Sequence, residues 1–187
     1  MKAGGGKAKG SSFERKICKA LSLWVTYNER DDVLWRSALS GGRFTNLRKK
    51  QDTGLEHVAG DICAVHADGY AFVDWFYVEC KTYKKFDWHR LLDDHGGTLA
   101  GFWIDTVKKA AEVHKQPLLI FRQNGGDCFV AVSQVQFRDW EAMRKYPKLV
   151  FAVHITKYPM FVYRLSSVVK STRPWVNQMN QRYSLPA

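Results

Sequence analysis

Two kinds of apolar spacing alternate along the chain. Over residues 11–27, Phe13, Ile17, Ala20, Leu21, Trp24 and Val25 recur at helical intervals and form one stripe, which predicts an amphipathic helix. Ser11 followed three residues later by Glu14 has the form of a capping box, which alone would account for Glu14. Residues 33–39 and 59–65 read as strands, the second entered through Gly60, and Ala67-Asp68-Gly69-Tyr70 reads as a turn. A third strand is expected from the aromatic, β-branched run at residues 73–78, continuing to Thr82. Residues 84–97 are polar and read as a solvated loop, with His89, Asp93, Asp94 and His95 on its surface.

Beyond that loop the spacing predicts a helix at 102–114, a buried strand at 117–121, a hairpin turn at 124–127 and a strand at 128–132. Ser133 with Gln136 opens a further helix to about Tyr146, and strands follow at 149–155 and 160–165. Helices and strands interleave without an internal repeat. The expected class is therefore mixed α/β or α+β, a central mixed sheet flanked by helices. Residues 1–10, Gly- and Lys-rich, read as a flexible basic arm and not as a signal peptide. Residues 11–133 read as the core, and 134–187 as a C-terminal extension that is not a separate domain.

Charge sharpens this picture. Lys and Arg total 29 against 18 Asp and Glu, a net +11 on 187 residues, which points to a polyanionic partner. Nucleic acid fits better than a membrane, since no long apolar run or lipidation motif is present. The four cysteines show no CxxC pair and read as buried thiols in a reducing cytoplasm, which argues against zinc. Between residues 40 and 50, Arg43, Arg48, Lys49 and Lys50 stand with no acid. That run is either a solvated loop or a grip on a phosphate backbone.

The chemistry concentrates in Tyr77-Val78-Glu79-Cys80-Lys81-Thr82. Residues two apart in a strand share a face, so Glu79 and Lys81 stand together while Val78 and Cys80 point away. The pair is either an ion pair at a strand end or part of a reactive site. Asp61 adds a second carboxylate from the preceding strand. Two carboxylates without thiolates suit Mg²⁺ or Mn²⁺. Such a metal polarises a phosphoryl oxygen, and an amine beside it orients water or offsets developing charge. These are the parts of phosphodiester hydrolysis. If the strands of Asp61 and Glu79 form an antiparallel hairpin, one shared metal requires an odd-length loop or a bulge between Ala67 and Asp74.

Gly60-Asp61 followed eighteen residues later by Glu79-Cys80-Lys81 resembles the PD-(D/E)XK nuclease core, with Gly60 where Pro is usual. The flanks extend the likeness. Lys9-Gly10-Ser11-Ser12-Phe13-Glu14-Arg15 and Trp35-Arg36-Ser37-Ala38 resemble the first helix and next strand of archaeal-type Holliday-junction resolvases. The resemblance covers about residues 10–133. It implies a restriction-endonuclease-like core, with Glu14, Asp61 and Glu79 as acidic metal ligands and Lys81 as catalytic lysine. It also implies phosphate contacts by Arg15 and Arg36, Ser37 on a mobile active-site loop, and a functional basic residue near Arg122. The family acts as a Mg²⁺-dependent homodimer on four-way DNA junctions without a nucleotide cofactor. The same core serves restriction, repair and nicking endonucleases, and a non-catalytic DNA-binding protein on this fold is the alternative outside the enzymes. Two departures stand out: a long basic stretch between Ser37 and Asp61, and the extension after Ser133.

Overall fold

The computed structural model describes residues 5–37, 59–93, 95–142 and 146–171. Arg43, Arg48, Lys49 and Lys50 lie outside the described residues, as do His57, Asp94 and the last sixteen positions. Helix α1 spans Gly5–Val25 and buries the expected stripe, with Phe13, Ile17, Cys18, Leu21, Trp24 and Val25 all facing the core. It begins six residues before Ser11. Ser11 and Glu14 are therefore interior helix positions and not a capping box, and the arm expected over residues 1–10 is helical from Gly5. Once a packed stripe nucleates a helix, extension through formers such as Lys7, Ala8 and Lys9 is cheap.

Strand β1 (Leu34–Arg36) pairs antiparallel with β2 (Ile62–Ala64), matching Leu34 to Ala64 and Arg36 to Ile62. The next segment departs from the expected turn and strand. A 3₁₀ turn at Ala67–Gly69 leads into helix α2, Tyr70–Trp75, which buries Ala71, Phe72 and Val73. Strand β3 starts only at Phe76 and runs to Tyr83. The reason for the helix lies in the strand pairing. Gly60 bridges Val78 in the parallel sense, and the Asp61 N–H donates to the Val78 carbonyl at 2.8 Å. Parallel neighbours need a crossover, which a tight hairpin cannot supply. The hairpin register and its odd-length loop or bulge therefore do not apply.

After β3, the short helix α3 (Trp88–Leu92) and the long helix α4 (Gly97–Glu112) lead to β4 (Gln116–Gln123), which lies parallel to β3. The stretch expected as a polar loop thus carries a helical turn, because Leu91 is buried and the Asp87 side chain caps it. Strand β5 (Cys128–Val132) returns antiparallel to β4, and helix α5 (Gln134–Glu141) opens on the side chain of Ser133. Strands β6 (Leu149–Ile155) and β7 (Tyr158–Arg164) then join the same sheet before helix α6 (Leu165–Ser171). Among the described residues the sheet has five strands in the order β3-β4-β5-β7-β6. It is a mixed sheet flanked by helices, as expected.

Strand β4 shows how the layers form. Leu118 and Ile120 pack with Phe13, Ile17, Leu21 and Trp140 on one face, while Leu119 and Phe121 pack with Leu99, Trp103 and Met160 on the other. A strand buried on both faces reads as a continuous apolar run, as residues 117–121 do. Among the described residues no helix is long and apolar enough to cross a membrane.

Gly60 is fixed by close approach. Its φ is +94°, and a Cβ there would stand 2.5 Å from the Val78 carbonyl oxygen. Proline cannot take that φ, which accounts for Gly in place of the usual Pro. Gly60→Ala is expected to lower stability by about 1–3 kcal/mol, measured as the unfolding midpoint in urea. An unchanged midpoint would mean that the Gly60–Val78 approach is not tight.

Candidate active site

The site forms at the outer edge of β3, the terminal strand of the sheet. On that edge the Val78 carbonyl and the Cys80 N–H need partners, and the chain through Gly60 and Asp61 supplies both. The Asp61 N–H meets Val78, and the Asp61 carboxylate accepts from Cys80 N–H at 2.8 Å through Oδ2. The Asp61 carbonyl accepts from the Ser37 N–H at 2.9 Å. Asp61 is thus clamped on three sides by backbone. It is buried, at 8% exposure.

Glu79 projects from β3 on the face turned toward α4. Its Oε2 accepts from the Tyr77 hydroxyl at 3.1 Å, and its Oε1 is bound by Lys81 Nζ. Lys109 of α4 brings a second ammonium to within 3.9 Å of the same oxygen, while also pairing with Asp105 at 3.1 Å. Burial, with the charge of Glu79 added, pushes the Tyr77 phenol above its usual range, so its hydroxyl keeps its proton and donates. Burial works against the Lys81 ammonium, yet the Glu79 and Asp61 carboxylates outweigh it and raise its pKa. Lys81 is therefore a charged donor at neutral pH and not a neutral base.

Asp61 is in the opposite position. Burial pushes its carboxyl up to about 7, and Glu79 adds to that; the Cys80 N–H and Lys81 pull it down, and Glu14 pushes it up slightly. Asp61 and Glu79 are thus electrostatic neighbours on adjoining segments. Glu14 comes from the opposite side of the sheet, on α1, where Arg36 Nε donates to its Oε2 at 2.5 Å. Among the described residues no three His, Cys, Asp or Glu side chains converge as a metal cluster: Asp61 and Glu79 feel each other's charge, and Glu14 is tied to Arg36. Even so, the donor set fits a hard divalent cation. It is all carboxylate oxygen, and burial together with the neighbouring Glu79 charge makes Asp61 hold a proton unusually tightly, which a bound cation would offset.

The other expected residues separate. Arg15 is exposed on α1. Ser37, expected on a mobile loop, is buried and braces Asp61 through its backbone N–H. Arg122 lies on the α1 face of β4, its guanidinium 4.5 Å above the Phe13 ring, and its Nε is buried without a hydrogen-bond partner among the described residues. Tyr77 and Lys109 went unnoticed in the sequence. Tyr77 could have been found, since alternation puts it on the face of Glu79 and Lys81. Lys109 carries no local signal, because only the packing of α4 on β3 brings it there.

A family model described as "Phage putative PDDEXK endonuclease" matches residues 5–180 of the 187. The chain belongs to this PDDEXK endonuclease family. No curated protein and no solved structure matches the chain. Membership agrees with the resemblance drawn from Asp61 and Glu79-Cys80-Lys81 at the level of the superfamily. It also makes the five-stranded mixed sheet a restriction-endonuclease-like core.

The electrostatics of Asp61 give a stability prediction for the endonuclease kept free of divalent metal. An Asp titrates near 3.9 when unfolded, and this one titrates at about 7 when folded. The folded state therefore holds the extra proton, and stability falls as pH rises from about 4 to about 7. Asp61→Asn keeps an acceptor for Cys80 N–H and removes the charge. It is expected to stabilise the metal-free chain on the order of 2 kcal/mol at pH 7.5 and by nearly nothing at pH 4. Thermal unfolding at the two pH values checks this, and destabilisation at both would mean that the ionised carboxylate holds the fold.

Proposed function

We propose that this endonuclease is a divalent-metal-dependent, structure-selective DNA nuclease that resolves four-way junctions as a homodimer in the cytoplasm. The observation that carries the metal-dependent reading is the Asp61–Glu79–Lys81 arrangement at one strand edge, with two neighbouring carboxylates and a charged amine bound to one of them. The junction reading is supported by a second convergence. The two segments that carry the resolvase resemblance meet each other and Asp61: Glu14 of α1 pairs with Arg36 of β1, and Ser37 bonds to Asp61.

Asp61 and Glu79 would hold Mg²⁺, for which Mn²⁺ could substitute, with Glu14 as a further acid from α1. When bound, the metal supplies Lewis acidity at the phosphoryl oxygen and makes water a better nucleophile. The side chains do the rest. Tyr77 fixes the rotamer of Glu79 by holding Oε2. Lys81 keeps its proton and offers positive charge where the phosphate gains negative charge. Arg36 and Arg15 are suited to phosphate oxygens beside the scissile bond, and Arg122 to the strand passing the Phe13 side. Arg43, Arg48, Lys49 and Lys50 would supply further positive charge for DNA phosphates. Homodimerisation would give two such centres, one for each strand of a symmetric cut.

The test is cleavage of end-labelled four-way junction, linear duplex and flap DNA, with Mg²⁺ and without it. Symmetric nicks confined to the junction are expected. Equal cutting of the duplex would make the chain a restriction-, repair- or nicking-type endonuclease, and binding without cutting would make it a DNA-binding protein. Asp61→Asn and Lys81→Ala are each expected to slow cleavage by at least about 10²–10³-fold with junction binding retained. Loss of binding together with cleavage would assign these residues to folding. Replacing the four basic residues between Arg43 and Lys50 is expected to flatten the salt dependence of binding, by about 0.9 of slope for each phosphate no longer neutralised. An unchanged slope would return that stretch to solvent.

A further inference from the structure

We infer that Tyr83 is a stacking platform for an unstacked nucleobase next to the scissile phosphate, an inference that rests on the nuclease reading of Glu79 and Lys81. Strand alternation puts Tyr83 on the same face as Glu79 and Lys81, about 7 Å beyond Lys81 along β3. A shared neighbour fixes the arrangement. The Phe102 ring of α4 lies 5.6 Å from Lys81 Nζ and meets the Tyr83 ring edge-on at 6.0 Å. Lysine and tyrosine thus flank one ring at the mouth of the site.

Tyr83 is held in place and partly open to solvent. Phe86 stacks against it at 5.6 Å with only 23° between the planes. Phe86 is itself 1% exposed and packs at 90° on Phe121 in the core. The Tyr83 carbonyl accepts from Asn124 N–H at 2.9 Å, which fixes the backbone. Yet 42% of Tyr83 is exposed. That exposure belongs to a large aromatic residue fixed in place beside a charged lysine. Lys84 and Lys85 come directly after it and are both exposed, so phosphate-binding charge continues past the ring. Aromatic and basic residues alternating along one line form the usual surface for single-stranded nucleic acid.

The partner is specific in kind. A base inside a duplex is already stacked on both faces, so only an unstacked base can lie on a protein ring. Such faces are offered by the terminal base pairs of an opened junction crossover and by the bases of flaps and single strands. Tyr83 would therefore set the preference for branched over continuous DNA, while Asp61, Glu79 and Lys81 serve the cut itself.

The experiment uses the full chain and a four-way junction carrying 2-aminopurine at the crossover, with binding measured in the absence of divalent metal. Stacking should quench the fluorescence of the bound probe in the unaltered protein, which needs no variant; bound junction without quenching overturns the inference. Tyr83→Leu keeps an apolar side chain on Phe86 and removes the ring. It is expected to weaken junction binding about tenfold, with a smaller loss on linear duplex, whereas Tyr83→Phe restores junction binding and quenching. Equal losses on junction and duplex, or no loss, would overturn the assignment, as would a Phe variant as weak as the Leu variant. Cleavage with Mg²⁺ is read in parallel. An unaltered chain that cuts no DNA fails the nuclease reading, whereas one that cuts junctions with no dependence on Tyr83 fails this inference alone.

Discussion

Everything in the site depends on how the outer edge of β3 is closed. An edge strand presents backbone groups that water or another strand must satisfy. Here the chain arrives parallel to β3 for a single bridge, Gly60 to Val78, and then turns its next side chain back as an acceptor. Asp61 thereby takes the Cys80 N–H that a neighbouring strand would have taken. The carboxylate is positioned by the same interaction that finishes the sheet. That is why Gly60 tolerates no Cβ, why β1 runs beside Asp61, and why a helical crossover, α2, separates β2 from β3.

The cost of this arrangement is electrostatic. A buried carboxylate beside a second one favours its proton, and the backbone donor at Cys80 only partly offsets this. The positive groups are unevenly distributed. Lys81 and Lys109 both serve Glu79, Arg36 serves Glu14, and Asp61 has a backbone N–H and the more distant field of Lys81. A centre left short of positive charge at one carboxylate is suited to a divalent cation, and it is a local instability that the surrounding core must carry. The core is sufficient for that, since β4 and β5 are buried on both faces and β7 extends the sheet further.

The two faces of the sheet contribute different chemistry. From the α1 side come Glu14, with Arg36 bound to it, and Arg122 over Phe13. From the α4 side come Glu79, Lys81, Tyr77 and Lys109, with Phe102 and Tyr83 beyond them. Asp61 lies on the line where the faces meet. At this edge Asp61 feels charges from both faces, Glu79 and Lys81 from one and Glu14 from the other.

Spacing along the chain was enough for the mixed class, most of the elements after residue 97, and the alternation that puts Glu79 and Lys81 on one face. A chain carries such local spacing wherever it folds. Spacing and resemblance together also marked Asp61, Glu14, Arg36 and Ser37. Residues 70–75 misled, because Tyr70-Ala71-Phe72-Val73-Asp74-Trp75 has strand-forming composition and yet is helix. The need for a parallel crossover overrode propensity there, and nothing within six residues announces it. Helix α1 likewise begins six residues early, because a helix nucleated by its packed stripe extends through helix formers without a capping pattern. Packing alone settled that Asp61 reaches β3 by a parallel bridge, that Lys109 joins Glu79 from α4, and that Phe102 of α4 meets both Lys81 and Tyr83. Each of these is a contact between segments distant along the chain, fixed by how the layers pack and carried by no local pattern.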